Sequence, residues 1–174
     1  APLAGEYVVR VTFDGEPLPQ NVSVVAACPA NEVANTTDGI CKCDAGFEPR
    51  ADTDQCRPCE VGFFKQTASD TSCLPCTGFG PHRTTESSGA NASSACVCDV
   101  GYYRDLGADD ECLDCLDGAS CRRGVTLATL QIAPNSWRLS ANSDDLQRCN
   151  DDESLFTACT GGEGGGDSIC AAHH

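Results

Sequence analysis

The chain has 174 residues, 15 of them cysteine, and a formal net charge of -15 from 26 acidic and 11 basic residues. With 6% aromatic residues, no methionine and 17 glycines, it lacks the large apolar groups of an ordinary core, so covalent or metal staples must hold it. No basic patch is present to neutralise phosphates, and no apolar run reaches the roughly 18 residues of a membrane-spanning helix, so nucleic-acid binding and membrane insertion of this chain are both disfavoured.

The opening "APLAGEYVVR" lacks the basic, then apolar, then small-residue order of a secretory leader. An extracellular protein would therefore be present here as a mature form or a segment. Residues 1–27 alternate apolar and polar positions at Tyr7, Val9, Val11 and Phe13, break at "DGEPLP", and resume at Val22, Val24 and Val25. That period-two pattern around a turn predicts a β-hairpin, and a lone hairpin needs further strands to be stable in water. "AGEYVVRV" followed by "DGEPLP" resembles the end of a filamin-type immunoglobulin-like repeat, with "QNVSV" where such repeats carry Ser-Pro-Phe. The resemblance implies that residues 1–27 are the C-terminal hairpin of an immunoglobulin-like domain.

From Cys28 the cysteines set the organisation. "CKCDAGF" at 41–47 recurs as "CVCDVGYY" at 96–103, which aligns Cys41, Cys43, Gly46 and Phe47 with Cys96, Cys98, Gly101 and Tyr102. Cys56-x-x-Cys59 answers to Cys112-x-x-Cys115, and "CEVGFFK" at 59–65 is a related unit. This is an internal repeat, with each aromatic expected to pack on a neighbouring staple. Units are expected at 28–59 and 60–121. Residues 122–174 read as a looser Cys/Gly-rich segment in which Val125, Leu127 and Leu130 fit a short strand or a short helix equally well. "TGGEGGGDS" at 160–168 reads as a flexible turn or linker. His173 and His174, native or the remains of a tag, receive no role.

The paired Cys-x-x-Cys units admit zinc, redox or disulfide chemistry. Zinc clusters use cysteines in fours, and 15 cysteines spread along the chain with three histidines do not group that way. A redox Cys-x-x-Cys opens a helix within a βαβ unit, and none of "CRPC", "CLPC" and "CLDC" follows a plausible parallel strand. Disulfides remain the favoured reading, with Cys28, Cys41, Cys43, Cys56, Cys59, Cys73, Cys76, Cys96, Cys98, Cys112, Cys115, Cys121, Cys149 and Cys159 bridged. Cys170, last and beyond a glycine run, is left unpaired or paired externally. Three sequons, at Asn21, Asn35 and Asn91, support the same oxidising setting and predict N-glycans there.

The pattern C-x-C-x-x-G-(F/Y), C-x-x-C-x-x-G-x-(F/Y)-K, C-x-x-C, then C-x-C-x-x-G-Y-Y-R, running from Cys41 to Cys115, resembles the cysteine-rich repeats of ephrin receptors, relatives of EGF-like and tumour-necrosis-factor-receptor modules. The analogy with EGF modules implies bridges Cys43–Cys56 and Cys98–Cys112. It leaves a sequential ladder (Cys59–Cys73, Cys76–Cys96) and an EGF-like crossing (Cys59–Cys76, Cys73–Cys96) both open. "NSWRLSANSDDLQRC…CTGG" is similar to segments that follow such repeats in large surface proteins of algae and protists, of which mastigoneme-type glycoproteins are one kind.

Calcium is the one cofactor worth testing. "ADDEC" at 108–112 places Asp110 and Glu111 as calcium-binding EGF modules do, but has Ala108 where the first Asp should stand; "DDE" at 151–153 lacks a glycine-turn ligand pattern. No catalytic constellation appears, and His82 reads as a loop residue. The expectation is a small, disulfide-rich, mostly β and loop protein. EGF-like repeats would run in an elongated array after an immunoglobulin-like hairpin, in an extracellular or cell-surface structural or adhesion glycoprotein. Other copies of the chain or neighbouring domains would be its partners. The alternative is a ligand-binding ectodomain of a receptor or channel.

Overall fold

The computed structural model describes residues 5–13, 16–53, 55–107, 110–149 and 159–169, with backbone alone through residue 26. It is made of short strands, turns and brief 3-10 segments, stapled by seven disulfides. The chain divides into two compact units, Ala1–Leu74 with Ser88–Ser93, and Pro75–Ser87 with Ser94–His174.

In the first unit, Gly5–Phe13 pairs antiparallel with Glu16–Ala26, with Tyr7 opposite Val24, Val9 opposite Val22, and a register shift between Arg10 and Thr12. Two smaller hairpins follow. Glu32–Ala34 pairs with Cys41–Cys43, and Phe47–Pro49 with Cys56–Pro58. Cys41, Cys43, Cys59, Phe64 and Cys73 are buried, so sulfur occupies positions where a larger protein would place Leu or Val. Lys65 is buried among them; its Nζ donates to the carbonyls of Cys43 and Ser69.

In the second unit, Arg83–Thr85 pairs with Cys96–Cys98, and Tyr102–Arg104 with Cys112–Asp114. A three-stranded sheet runs Ala119–Ser120, Gln131–Ile132, Gly162–Glu163, and Ser136–Trp137 pairs with Gln147–Arg148. Tyr103, Cys121, Val125, Leu130 and Ile132 form its core. Of the three residues that the sequence left between strand and helix, Leu127 opens the 3-10 turn Leu127–Thr129, while Val125 and Leu130 lie in neither element and the strand Gln131–Ile132 follows.

One turn governs the architecture. Asn31, Gly46, Gly62, His82, Gly101, Gly118 and Asn135 all have positive φ, and each immediately precedes a strand. At six of these turns the first strand residue donates its N–H to the carbonyl three residues back, as Phe47 does to Asp44 (3.1 Å) and Tyr102 to Asp99 (3.1 Å). A left-handed residue followed by that bond reverses the chain and starts the next hairpin. Gly46 tolerates no side chain, because a Cβ would meet the Gly89 carbonyl oxygen at 2.5 Å.

The repeat has a third copy, which keeps the second bridge of the unit as Cys149–Cys159 but not the first. Gly46 accepts from Cys59 N–H (2.8 Å), Gly101 from Cys115 N–H (2.9 Å), and Asn135 from Cys149 N–H (2.9 Å). The same three residues donate to Lys65, Cys121 and Cys159. Asp44 and Asp99 accept the N–H of the residue that follows each of them (2.7 and 2.8 Å); at the third turn that residue is Pro134, which has no N–H, and Ala133 stands in the Asp position. Where the second copy has the bridge Cys98–Cys112, the third has Ile132 and Leu146, which share one apolar cluster.

The glycine run is docked rather than a linker. Gly162–Glu163 is the third strand of the sheet, and a Cβ on Gly161 would meet the Ile132 carbonyl oxygen at 2.5 Å. Glycine is needed there for close backbone approach, a demand that composition alone reads as flexibility.

Candidate functional site

The bridges are Cys28–Cys41, Cys43–Cys56, Cys59–Cys73, Cys76–Cys96, Cys98–Cys112, Cys115–Cys121 and Cys149–Cys159. Their Cα separations of 5.4 to 6.3 Å suit disulfides. Each cysteine joins its next neighbour in sequence, so the pairing is a ladder and contains no EGF-like crossing. The reason is local. A hairpin of about a dozen residues brings its own two ends together, and successive cysteines lie at those ends. No Cys-x-x-Cys closes on itself: Cys56 and Cys59 belong to successive bridges, as do Cys73 and Cys76, and Cys112 and Cys115. These motifs are junctions between loops. Cys170, His173 and His174 lie outside the described residues.

Asn91 is exposed in an irregular segment. Asn35 is half-buried in the turn between Glu32–Ala34 and Cys41–Cys43. Asn21 lies in the strand Glu16–Ala26, opposite Arg10, and its side chain is outside the described residues. Two recesses can be described. One, of about 290 Å³, is lined by Val33, Ala34, Asn35, Thr36, Lys42 and Ala68. The other, of about 260 Å³, lies between the Arg104–Gly107 and Thr126–Ala128 segments. Both are small beside the pockets of about 300–1,000 Å³ that enclose drug-sized ligands.

The calcium motif is committed elsewhere. Asp110 receives both Nε and Nη2 of Arg104 (2.5 and 2.7 Å), and Arg83 Nη2 lies 3.2 Å from the same carboxylate. Arg83 also donates to the Asp110 carbonyl. The Arg104 hydrogen bonds, helped by the charges of Arg104 and Arg83, hold the Asp110 carboxyl down at about 2. A cation there would have to displace two guanidinium groups. Ala108 and residues 151–153 lie outside the described residues. Among the described residues no group of three or more His, Cys, Asp or Glu could hold a metal ion. His82 has positive φ and stacks on Tyr102, ring centroids 3.8 Å apart and 13° from parallel.

Sequence reasoning missed Arg138. It is fully buried and donates to the carbonyls of Gly164 (2.6 Å), Leu127 (2.7 Å) and Ala128 (3.4 Å). Desolvation lowers its pKa below the usual arginine value. An arginine between an apolar run and a glycine run carries no signal of burial in the sequence.

Residues 46–96 match the family described as tyrosine-protein kinase ephrin type A/B receptor-like. The match begins at the left-handed Gly46, includes the bridges Cys59–Cys73 and Cys76–Cys96, and ends at Cys96. No curated protein matches the chain. The ephrin-receptor-like segment is thus part of a longer series of disulfide-stapled hairpins. The match to a receptor-like family and the density of bridges together point to an extracellular, oxidising setting. Among the described residues no helix is long and apolar enough to cross a membrane.

Proposed function

We propose that this chain is a spacer and assembly module of an extracellular structural or adhesion glycoprotein. The observation that carries the reading is the ladder itself: successive hairpins, each closed by its own bridge. Each bridge holds the surface of its own hairpin in place without needing a large core. Exposed apolar side chains support contacts with other copies or neighbouring domains: Val61, Phe63 and Leu74 in the first unit, and Val100, Leu106 and Leu139 in the second. On this reading the module has no enzymatic role. The hairpin Gly5–Ala26 is the end of a filamin-type immunoglobulin-like domain, and filaments of the mastigoneme type are the kind of assembly it suits.

The second reading is a ligand-binding ectodomain of a receptor or channel, favoured by the ephrin-receptor-like match. Sedimentation of the oxidised chain over a wide concentration range separates the two. The assembly reading expects ordered multimers that grow with concentration. A chain that stays monomeric throughout leaves the receptor reading in its place.

A further inference from the structure

We infer that Asn35 carries an N-linked glycan whose innermost N-acetylhexosamine occupies the recess beside it. This rests on the extracellular reading above and adds a site to it. Three observations converge. Asn35-Thr36-Thr37 is an acceptor sequon. Asn35 itself lines the recess of about 290 Å³, enough for one pyranose ring. And the hydrogen bonds that fix the turn survive the modification.

The turn is built on the Asn35 backbone and its side-chain oxygen. Asn35 N–H donates to the Ile40 carbonyl (2.9 Å), and Gly39 N–H donates to the Asn35 carbonyl (2.9 Å). Asn35 Oδ1 accepts the Thr37 N–H (2.9 Å). Nδ2 makes only a long contact to the Asp38 carboxylate (3.4 Å). In glycosylation, a lipid-diphosphate-activated oligosaccharide from the secretory pathway is the donor. Its anomeric C–O bond breaks, a C–N bond forms to Nδ2, the diphosphate leaves, and one Nδ2 proton is lost to a base. The product is still a carboxamide. Oδ1 keeps its lone pairs for Thr37, and Nδ2 keeps one hydrogen.

The lining suits a sugar. Val33, Ala34 and Ala68 line it beside Asn35, Thr36 and Lys42, so that apolar and polar residues both meet a ring placed there. The Lys42 ammonium, with no hydrogen bond among the described residues, offers three donors to hydroxyl or acetamido oxygens. Asn91 differs: it is exposed and lines neither recess, so a glycan there would extend into solvent.

The test is to secrete the whole chain from a glycosylating host, map its peptides by mass, and compare melting temperatures. Three forms are needed: wild type, wild type trimmed enzymatically to a single N-acetylhexosamine, and T37A. T37A removes the sequon hydroxyl but keeps the N–H that Asn35 binds, and a wild-type and T37A pair from a non-glycosylating host shows whether the substitution itself matters. The expected result is Asn35 occupied, trimmed protein melting with wild type, and secreted T37A melting about 2–4 °C lower. Asn35 bare while Asn91 is occupied overturns the inference and leaves the extracellular reading standing. Asn35 occupied with T37A melting like wild type overturns the seating of the sugar. Both asparagines bare, with free thiols throughout, overturns the extracellular reading as well.

Discussion

At the scale of single residues, two arginine arrangements hold the second unit together and differ in how they respond to pH. Asp110 binds Arg104 and Arg83, and its carboxyl is held at about 2 against an ordinary 3.8. A carboxylate with a depressed folded-state pKa contributes stability that is complete above the unfolded value and is lost as pH falls through the folded one. The contribution should therefore fade between about pH 4 and pH 2. Asp110 is 47% exposed, so screening reduces it to about 1 kcal/mol. D110N should destabilise the protein by that amount at neutral pH in urea unfolding. The gap from wild type should close as the solution is acidified; a gap independent of pH would remove the ion pair from the explanation. Arg138 has no carboxylate partner among the described residues, and three backbone carbonyls share its charge. R138M would leave part-buried carbonyls without their donors, at a cost of about 2 kcal/mol. R138K should recover only part of this, since an ammonium cannot reproduce the planar fork. Equal stability of R138K and wild type would show that charge alone suffices.

At the scale of elements, the repeating object is a left-handed residue, a turn and a hairpin. Its legibility in sequence depends on which residues supply each part. At Gly46 and Gly101 the turn was readable, because glycine, a preceding Asp and flanking cysteines all advertise it. At Asn135 every mark is replaced by a physical equivalent. Asn tolerates the left-handed conformation, Pro134 removes the N–H that an Asp would have capped, and Ile132 with Leu146 replaces a bridge by an apolar contact. At Asn31 and His82 the left-handed position is likewise hidden by a side chain. The glycine run misled for the converse reason: its residues are dictated by close backbone approach, which one sequence cannot distinguish from freedom. The Asn135 hairpin can be tested covalently. In I132C/L146C the new cysteines take the places that Cys98 and Cys112 hold in the preceding copy, and they should oxidise spontaneously. Intact mass under non-reducing conditions should lie two hydrogens below that calculated for the double variant with only its seven native bridges closed. Two alkylatable thiols at these positions would refute the equivalence of the copies.

At the scale of the whole molecule, the seven bridges take up 14 of the 15 cysteines. Alkylation of the unfolded, unreduced protein should label at most one thiol, and the labelled peptide should contain Cys170. Several labelled cysteines along the chain would contradict the ladder. Loops of this size are each worth about 2–3 kcal/mol in the chain-entropy model. Because the bridged loops follow one another, opening one leaves the others closed. That non-crossing order also determines how the chain would lengthen under load. Pulled from its ends, the unfolded but oxidised chain hides each bridged loop as slack, and cutting one bridge frees that loop's slack alone. Cys76–Cys96 holds back 20 residue steps and Cys115–Cys121 holds back 6, or about 70 Å and about 20 Å of extended chain. Reductant acting under tension would thus extend the chain in unequal increments, and the bonds Cys76–Cys96, Cys149–Cys159 and Cys115–Cys121 would each be identified by the length released, 20, 10 and 6 residue steps.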